Sequence, residues 1–141
     1  MTTSPIRVVI DTNVFIRYLI RPSAAIRRLI EELWLEDHIA ICISAELFDE
    51  LAGVLEREKM REFIQPQECQ ALLDVLQVKA EFTPSLGKIP ALTRDPKDDM
   101  FVACAITAQA THVITDDRDL LALGEIFGFQ ILTPYAFVQS I

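Results

Sequence analysis

The chain has 141 residues and a formal net charge of −8, with 51% hydrophobic and 24% charged residues. This balance excludes a disordered chain and predicts one globular domain over residues 1–141, while the acidity argues against binding nucleic acid through a broad basic surface. No run approaches a membrane span, no signal peptide is recognised, and three scattered cysteines argue against a disulfide framework, so we expect a protein of the reducing cytoplasm.

The first part of the chain predicts strands that alternate with helices. Residues 7–10 are short and β-branched without alternation, which is typical of a strand buried on both faces. A helix is predicted over 14–20, and a second one begins after Pro22 with apolar residues at helical spacing up to Trp34. Residues 39–43 form the second predicted strand, and Ser44 can cap the helix that follows it.

The rest of the chain continues this alternation. Three prolines and a glycine within residues 83–96 predict a surface loop. The other predicted elements are a helix from Pro66, a short strand over 78–82, a helix opened by Asp98 or Asp99, a strand over 112–115, a short helix over 120–123, a strand over 129–132 and a helical turn from Pro134. This order predicts an α/β fold with a central parallel sheet flanked by helices.

Carboxylates follow the predicted strands or open the predicted helices at several points. The carboxyl ends of parallel strands lie along one edge of a sheet, where ligands usually bind, so we expect these acids to converge. They are Asp11 after the first strand, Glu46 and Glu50 on the helix after the second, Asp98 and Asp99 at a helix start, and Asp116, Asp117 and Asp119 after Thr115.

Each acid taken singly has a structural explanation, such as a helix cap or a solvated helix face. Together they favour a metal site, because two carboxylates about 4 Å apart repel by about 4 kcal/mol at an effective dielectric near 20. Several such groups need raised pKa values or a cation. Oxygen ligands without His or Cys favour Mg²⁺ or Mn²⁺, which can activate water for phosphodiester displacement.

Five short segments carry a family resemblance, and they occur in order with fitting spacing. They are VVIDTNVF at 8–15, SAELFDEL at 44–51 followed by Val54 and Leu55, RDPKDDMF at 94–101, VITDDRDLL at 113–121, and ILTP at 131–134. With them the chain resembles the PIN-domain ribonucleases, in particular the PIN-family toxins of toxin–antitoxin systems. The resemblance implies a single PIN domain over 1–141, built as a three-layer sandwich, with Mg²⁺- or Mn²⁺-dependent endoribonuclease activity on single-stranded RNA.

The resemblance also implies roles for individual residues. Two of the four acid positions have alternatives. For the third acid, the position of Ala103 favours Asp99 over Asp98. For the last acid, the T-x-D spacing from Thr115 favours Asp117 over Asp116 or Asp119. The catalytic and metal-binding acids would be Asp11, Glu50, Asp99 and Asp117, and the supporting residues would be Asn13, Thr115 and Asp98. The implied partners are an RNA substrate, an antitoxin whose basic side chain enters the acidic pocket, and a second copy in a homodimer.

Two groups of basic residues are candidates to steer an RNA backbone, although ordinary surface charge is the simpler interpretation of both. The first is Arg17, Arg21, Arg27 and Arg28, and the second is Arg57, Lys59 and Arg61.

Three other functions compete with the nuclease. A metal-dependent phosphatase with an aspartyl nucleophile usually has a second Asp where this chain has Asn13. A phosphate-receiver domain would need a lysine after its last strand, where this chain has Thr133 and Pro134. A PIN-fold interaction module without catalysis remains the third alternative, because an intact acid set does not by itself prove activity.

Overall fold

The computed structural model describes residues 6–125 and 127–141, and a five-stranded sheet lies at its centre. The strands are β1 (Ile6–Ile10), β2 (Ile39–Ile43), β3 (Glu81–Phe82), β4 (His112–Ile114) and β5 (Gln130–Leu132). Their order in the sheet is β3-β2-β1-β4-β5, and every neighbouring pair is parallel. Residues 1–5, predicted as a short polar lead into the first strand, lie outside the described residues.

Within the described residues, seven α-helices connect or follow these strands. They are α1 (Thr12–Ile20), α2 (Ala24–Arg27), α3 (Ala45–Leu55), α4 (Pro66–Lys79), α5 (Pro96–Ala108), α6 (Arg118–Leu121) and α7 (Pro134–Gln139). A π-helical segment, Arg28–Trp34, continues α2, and a 3₁₀ segment, Glu58–Glu62, follows α3. Hydroxyl groups cap several helix starts, because Ser44 accepts from Leu47 N–H and Thr133 from Ala136 N–H.

The two faces of the sheet are buried in separate hydrophobic cores. Val8 and Ile10 of β1 pack into one core with Phe15, while Val9 packs into the other with Val102. Successive side chains of a strand point to opposite faces, so the unbroken apolar run of β1 supplies both cores. The prediction of an α/β three-layer sandwich with a central parallel sheet is confirmed.

The carboxyl ends of β1 and β4 lie side by side at one edge of the sheet. Ile10 pairs with Ile114, and the Asp11 amide donates to the Ile114 carbonyl at 2.9 Å. The first residue after each strand, Asp11 and Thr115, is therefore held by main-chain hydrogen bonds beside the other, as expected from the parallel topology.

Several predicted elements differ from the structure. The helix predicted to open at Asp98 or Asp99 begins at Pro96 instead, because the Asp95 carboxylate caps it. The strand predicted over 78–82 is shorter, because the helical bonding of α4 continues until the Ala80 amide donates to the Leu76 carbonyl, which leaves only β3 extended. The short helix predicted over 120–123 begins at Arg118, since Asp117 caps it. The helix predicted after Pro22 widens into the π-helical segment.

Two further properties follow from the described residues. The cysteines Cys42, Cys69 and Cys104 are free and buried, so within the described residues they pack as small core side chains. Within the described part of the chain, no helix is both long enough and apolar enough to cross a bilayer.

Candidate functional site

A cavity of about 390 Å³ opens where Asp11 follows β1, and acidic side chains dominate its polar lining. The acids that line it are Asp11, Glu50, Asp95, Asp98 and Asp117. A larger groove of about 530 Å³ lies between α1, the π-helical segment and α4, but its lining contains none of the predicted acids. The smaller cavity is therefore the candidate functional site.

Asp11 is at the base of the site, with only 5% of its surface exposed. Its carboxylate caps α1 by accepting from the Asn13 amide at 3.2 Å, and its second oxygen accepts from the Thr115 hydroxyl at 2.7 Å. Burial raises the pKa of Asp11, the two hydrogen bonds oppose this, and the charges of Asp117 and Glu50 raise it further. A cation in the cavity would remove most of this penalty.

Glu50 reaches the same cavity from α3. Its carboxylate accepts from the Thr12 hydroxyl at 3.0 Å, which ties α3 to the first turn of α1. Sequence reasoning missed Thr12, although its position between Asp11 and Asn13 at a helix start already marked it as a polar group beside the site. Glu46, one turn earlier, instead accepts from the Leu86 amide at 3.3 Å and does not line the cavity.

Asp98 and Asp99 lie next to each other in the first turn of α5, and both are buried, at 5% and 6% exposure. Asp98 lines the cavity. Burial raises its pKa to about 6, helped by the charges of Asp117 and Asp95, by a hydrogen bond with the Asp117 carboxyl group, and by the charge of Asp11. Asp98 therefore belongs to the converged set of acids.

Asp99 points to the loop that precedes α5. One of its oxygens accepts from the Leu92 amide at 2.9 Å and from the Thr93 amide at 2.5 Å. The choice of Asp99 as a metal ligand stays a prediction from the resemblance. In this structure its carboxylate is bonded to the loop before α5 and is not part of the cavity lining.

Asp117 is the member of the last acidic cluster that lines the cavity. Its amide donates to the Thr115 hydroxyl oxygen at 2.9 Å, and its carboxylate caps α6 by accepting from the Asp119 amide at 2.9 Å. Asp116 is instead paired with Arg17, and Asp119 is exposed on α6. The Thr115 hydroxyl thus connects Asp11 and Asp117, donating to one and accepting from the other.

The donor set fits a hard divalent cation, since all four of Asp11, Glu50, Asp98 and Asp117 offer carboxylate oxygens. The charge of Asp117 raises the pKa of Asp98, so a bound cation would offset the mutual repulsion of these two carboxylates. Within residues 6–125 and 127–141, however, no three His, Cys, Asp or Glu side chains already have the spacing that holds one metal ion. Asn13, which is exposed, also lines the cavity.

Thr115→Val should lower the free energy of unfolding by about 1–3 kcal/mol, because it removes the donor to buried Asp11 and the acceptor for the Asp117 amide. Thr115 is fully buried. The valine side chain is close to that of threonine in size, so the substitution changes the packing little. Urea denaturation measures the difference. The control Thr115→Ser keeps the hydroxyl and should cost only about 1 kcal/mol for the lost methyl; equal losses in both variants would contradict a role for the hydroxyl.

Comparisons with known proteins identify the family to which the chain belongs. The family model of the PIN domain matches residues 7–119, which contain all the acids that line the cavity. No curated protein matches the chain. Among solved structures, FitAcB from Neisseria gonorrhoeae is similar with a TM-score of 0.58 and 19% identity, over 91% of this chain and 98% of that one.

VapBC2 from Rickettsia felis, bound to a DNA fragment from its promoter, is similar with a TM-score of 0.58 and 16% identity, over 89% of this chain and 96% of that one. At these identities the structural likeness concerns the fold. The family match covers most of the chain and includes the strand ends that form the cavity. The chain therefore belongs to the PIN domain family.

Proposed function

We propose that the protein is a Mg²⁺- or Mn²⁺-dependent endoribonuclease that hydrolyses single-stranded RNA, and that it acts as the toxin of a toxin–antitoxin pair. The observation that supports the chemistry best is the convergence of Asp11, Glu50, Asp98 and Asp117 on one cavity from four separate parts of the chain. Burial and the charges of neighbouring acids raise the pKa values of Asp11 and Asp98, which is the electrostatic setting in which a cation would be bound. Nuclease activity is also the general expectation for PIN domains.

Each side chain of the candidate site would have a distinct role. Asp11, Asp98 and Asp117 would hold the cation, and Glu50 would complete the site directly or through water. When bound, the cation would supply an activated water and stabilise the charge that develops on the phosphate oxygens. Hydrogen bonds of the Thr115 hydroxyl join Asp11 and Asp117, and one from Thr12 holds Glu50. Asn13, which lines the same cavity, would orient groups at its rim.

This assignment prefers Asp98 to Asp99 as the third acid. Asp98 lines the cavity, while Asp99 is already engaged by two main-chain amides. Asp99 then contributes by anchoring the loop before α5, which carries Asp95 at the entrance to the helix.

A cleavage assay on single-stranded RNA tests the proposal. The wild type should cleave only when Mg²⁺ or Mn²⁺ is added and should stop when EDTA is present. Asp11→Asn should reduce the rate by at least about 100-fold, because losing a direct metal ligand costs more than losing an outer-shell partner. Equal cleavage by both proteins would contradict the proposal. Mn²⁺ binding without any cleavage would favour an interaction module.

The partners of such a toxin are part of the same proposal. An antitoxin that inserts a basic side chain among the acids would neutralise the same charges as the metal, and the five acids that line the cavity offer it a complementary surface. A homodimer and a location in the cytoplasm are further expectations from the resemblance and the composition. Co-purification with the product of an adjacent gene and the mass of the purified protein in solution would check the two assemblies.

A further inference from the structure

Three basic side chains line the acidic cavity. Arg57 and Lys59 come from the turn and 3₁₀ segment after α3, and Lys97 comes from the first turn of α5. All three residues are exposed. In a chain with a net charge of −8, most of the surface repels a polyanion, so cations placed beside the candidate site have a large influence on where a polyanion can approach.

These cations are not neutralised by ion pairs. The salt bridges found in the described part of the chain join Arg7 to Glu81, Arg17 to Asp116, His38 to Glu36 and Lys79 to Asp37. None of them involves Arg57, Lys59 or Lys97, although five acids line the same cavity. The main chain of Lys97 is fixed, because its amide donates to the Asp95 carboxylate at 2.9 Å.

The structure separates these residues from the other basic residues that the sequence offered for steering. Arg17 is paired with Asp116. Arg61 lines a different cavity of about 140 Å³ together with Cys69, and Arg27 lines the larger groove with Glu31. The sequence did not single out Lys97, whose position beside the acids depends on how the loop before α5 folds.

We propose that Arg57, Lys59 and Lys97 form a basic rim that binds the phosphates on either side of the RNA bond that is cleaved. This inference rests on the proposed nuclease function and names its substrate contacts. The cation that the acids would hold would face the reacting phosphate, and the rim would bind the neighbouring phosphates along the strand. The ligand is therefore a strand with several phosphates, and a nucleoside monophosphate binds poorly.

Fluorescence anisotropy with a short labelled single-stranded RNA, in Ca²⁺ and with strand integrity checked on gels, measures the contribution of the rim. The test protein is the triple variant Arg57→Gln, Lys59→Gln, Lys97→Gln. The charge-matched control is Arg21→Gln, Arg28→Gln, Arg61→Gln, which removes three exposed cations that do not line the cavity. Both variants change the net charge equally, so a difference in RNA affinity between them reflects where the removed cations lie rather than how many are removed.

The rim variant should bind at least about tenfold more weakly than the control at low salt. The logarithm of single-strand affinity falls with the logarithm of salt concentration, with a slope of about 0.7 per phosphate contact. The slope for the rim variant should therefore be shallower than that for the control by about 2, measured between roughly 50 and 200 mM salt.

Equal losses of RNA affinity in the two triple variants would overturn the proposal. Tight binding of polyglutamate that depends on the three rim residues would also overturn it. Rim-dependent RNA binding without metal-dependent cleavage would refute the nuclease alone, whereas cleavage with an unchanged KM in the rim variant would refute the rim alone.

Discussion

Asp98→Asn should abolish metal-dependent RNA cleavage, while Asp99→Asn should leave the rate within about fivefold of the wild type. Asp98 lines the cavity beside Asp117, so its loss removes a carboxylate from the proposed metal shell and should lower the rate by at least about 100-fold. Asp99 acts through one oxygen that accepts from the Leu92 and Thr93 amides, and an asparagine carbonyl can accept both bonds.

The matched pair separates ligation from anchoring. Asp99→Ala should lose more activity and more stability than Asp99→Asn, because it leaves two main-chain amides without their acceptor, at about 1–3 kcal/mol. Cleavage rates and Mn²⁺ affinities of the three variants provide the measurement. If Asp99→Asn were as inactive as Asp98→Asn and bound Mn²⁺ as weakly, Asp99 would be a metal ligand, as the spacing to Ala103 first suggested.

The metal-free protein should become less stable as the pH rises from about 4 to about 6, relative to Asp98→Asn. The pKa of Asp98 is about 6 in the folded protein, above its ordinary value of 3.8, so the folded state binds more protons in this window than the unfolded chain. The stabilisation from protonated Asp98 is complete below about pH 4 and is lost as the pH passes 6. A shift of this size corresponds to about 1–3 kcal/mol.

Urea denaturation in EDTA at several pH values measures this difference. Asp98→Asn should be more stable than the wild type at pH 7, since the amide has no charge to bury, and the two proteins should converge near pH 4. Added Mn²⁺ should reverse the order at pH 7, because only the carboxylate gains a cation. Parallel pH profiles for the two metal-free proteins would show that Asp98 titrates normally.

Both expectations describe one substitution with opposite effects on stability and activity. Acids gathered in one cavity repel one another, which lowers the stability of the metal-free folded protein. The same arrangement is what would allow a cation to bind. The hydrogen bonds from Thr115 and the Asn13 amide to Asp11 reduce that repulsion without removing it. A gain of stability on removing a charge is therefore an indicator of a binding site, independent of any assay of cleavage.

The sequence predicted the fold where local pattern and tertiary packing agree. The β-branched run of β1 and the apolar spacing of the helices identified the main layers, because those residues are the ones that fill the two cores. Val78 shows where this fails: it is β-branched and was assigned to a strand, but it is 88% exposed on the last turn of α4. The π-helical widening after Arg27 also left no pattern in the sequence that distinguishes it from an α-helix.

The position of the site could also be predicted, but not its full composition. Asp11 and Thr115 follow strands that pair directly, so topology alone brought them together. The choice between Asp98 and Asp99 depends on the loop before α5, whose amides occupy Asp99. Asp95 and Lys97 were missed for the same reason, since no spacing rule predicts how an irregular loop approaches a cavity.

The central place of β1 in the sheet has a consequence for biosynthesis. β1 leaves the ribosome well before its neighbour β4, because the Thr115 hydroxyl that bonds to Asp11 comes 104 residues later in the chain. At about 5–20 residues per second this interval lasts roughly 5–20 s. During that time a nascent chain has neither the paired strand ends nor the gathered acids, so the fold itself delays the cavity until the residues around Thr115 have been made.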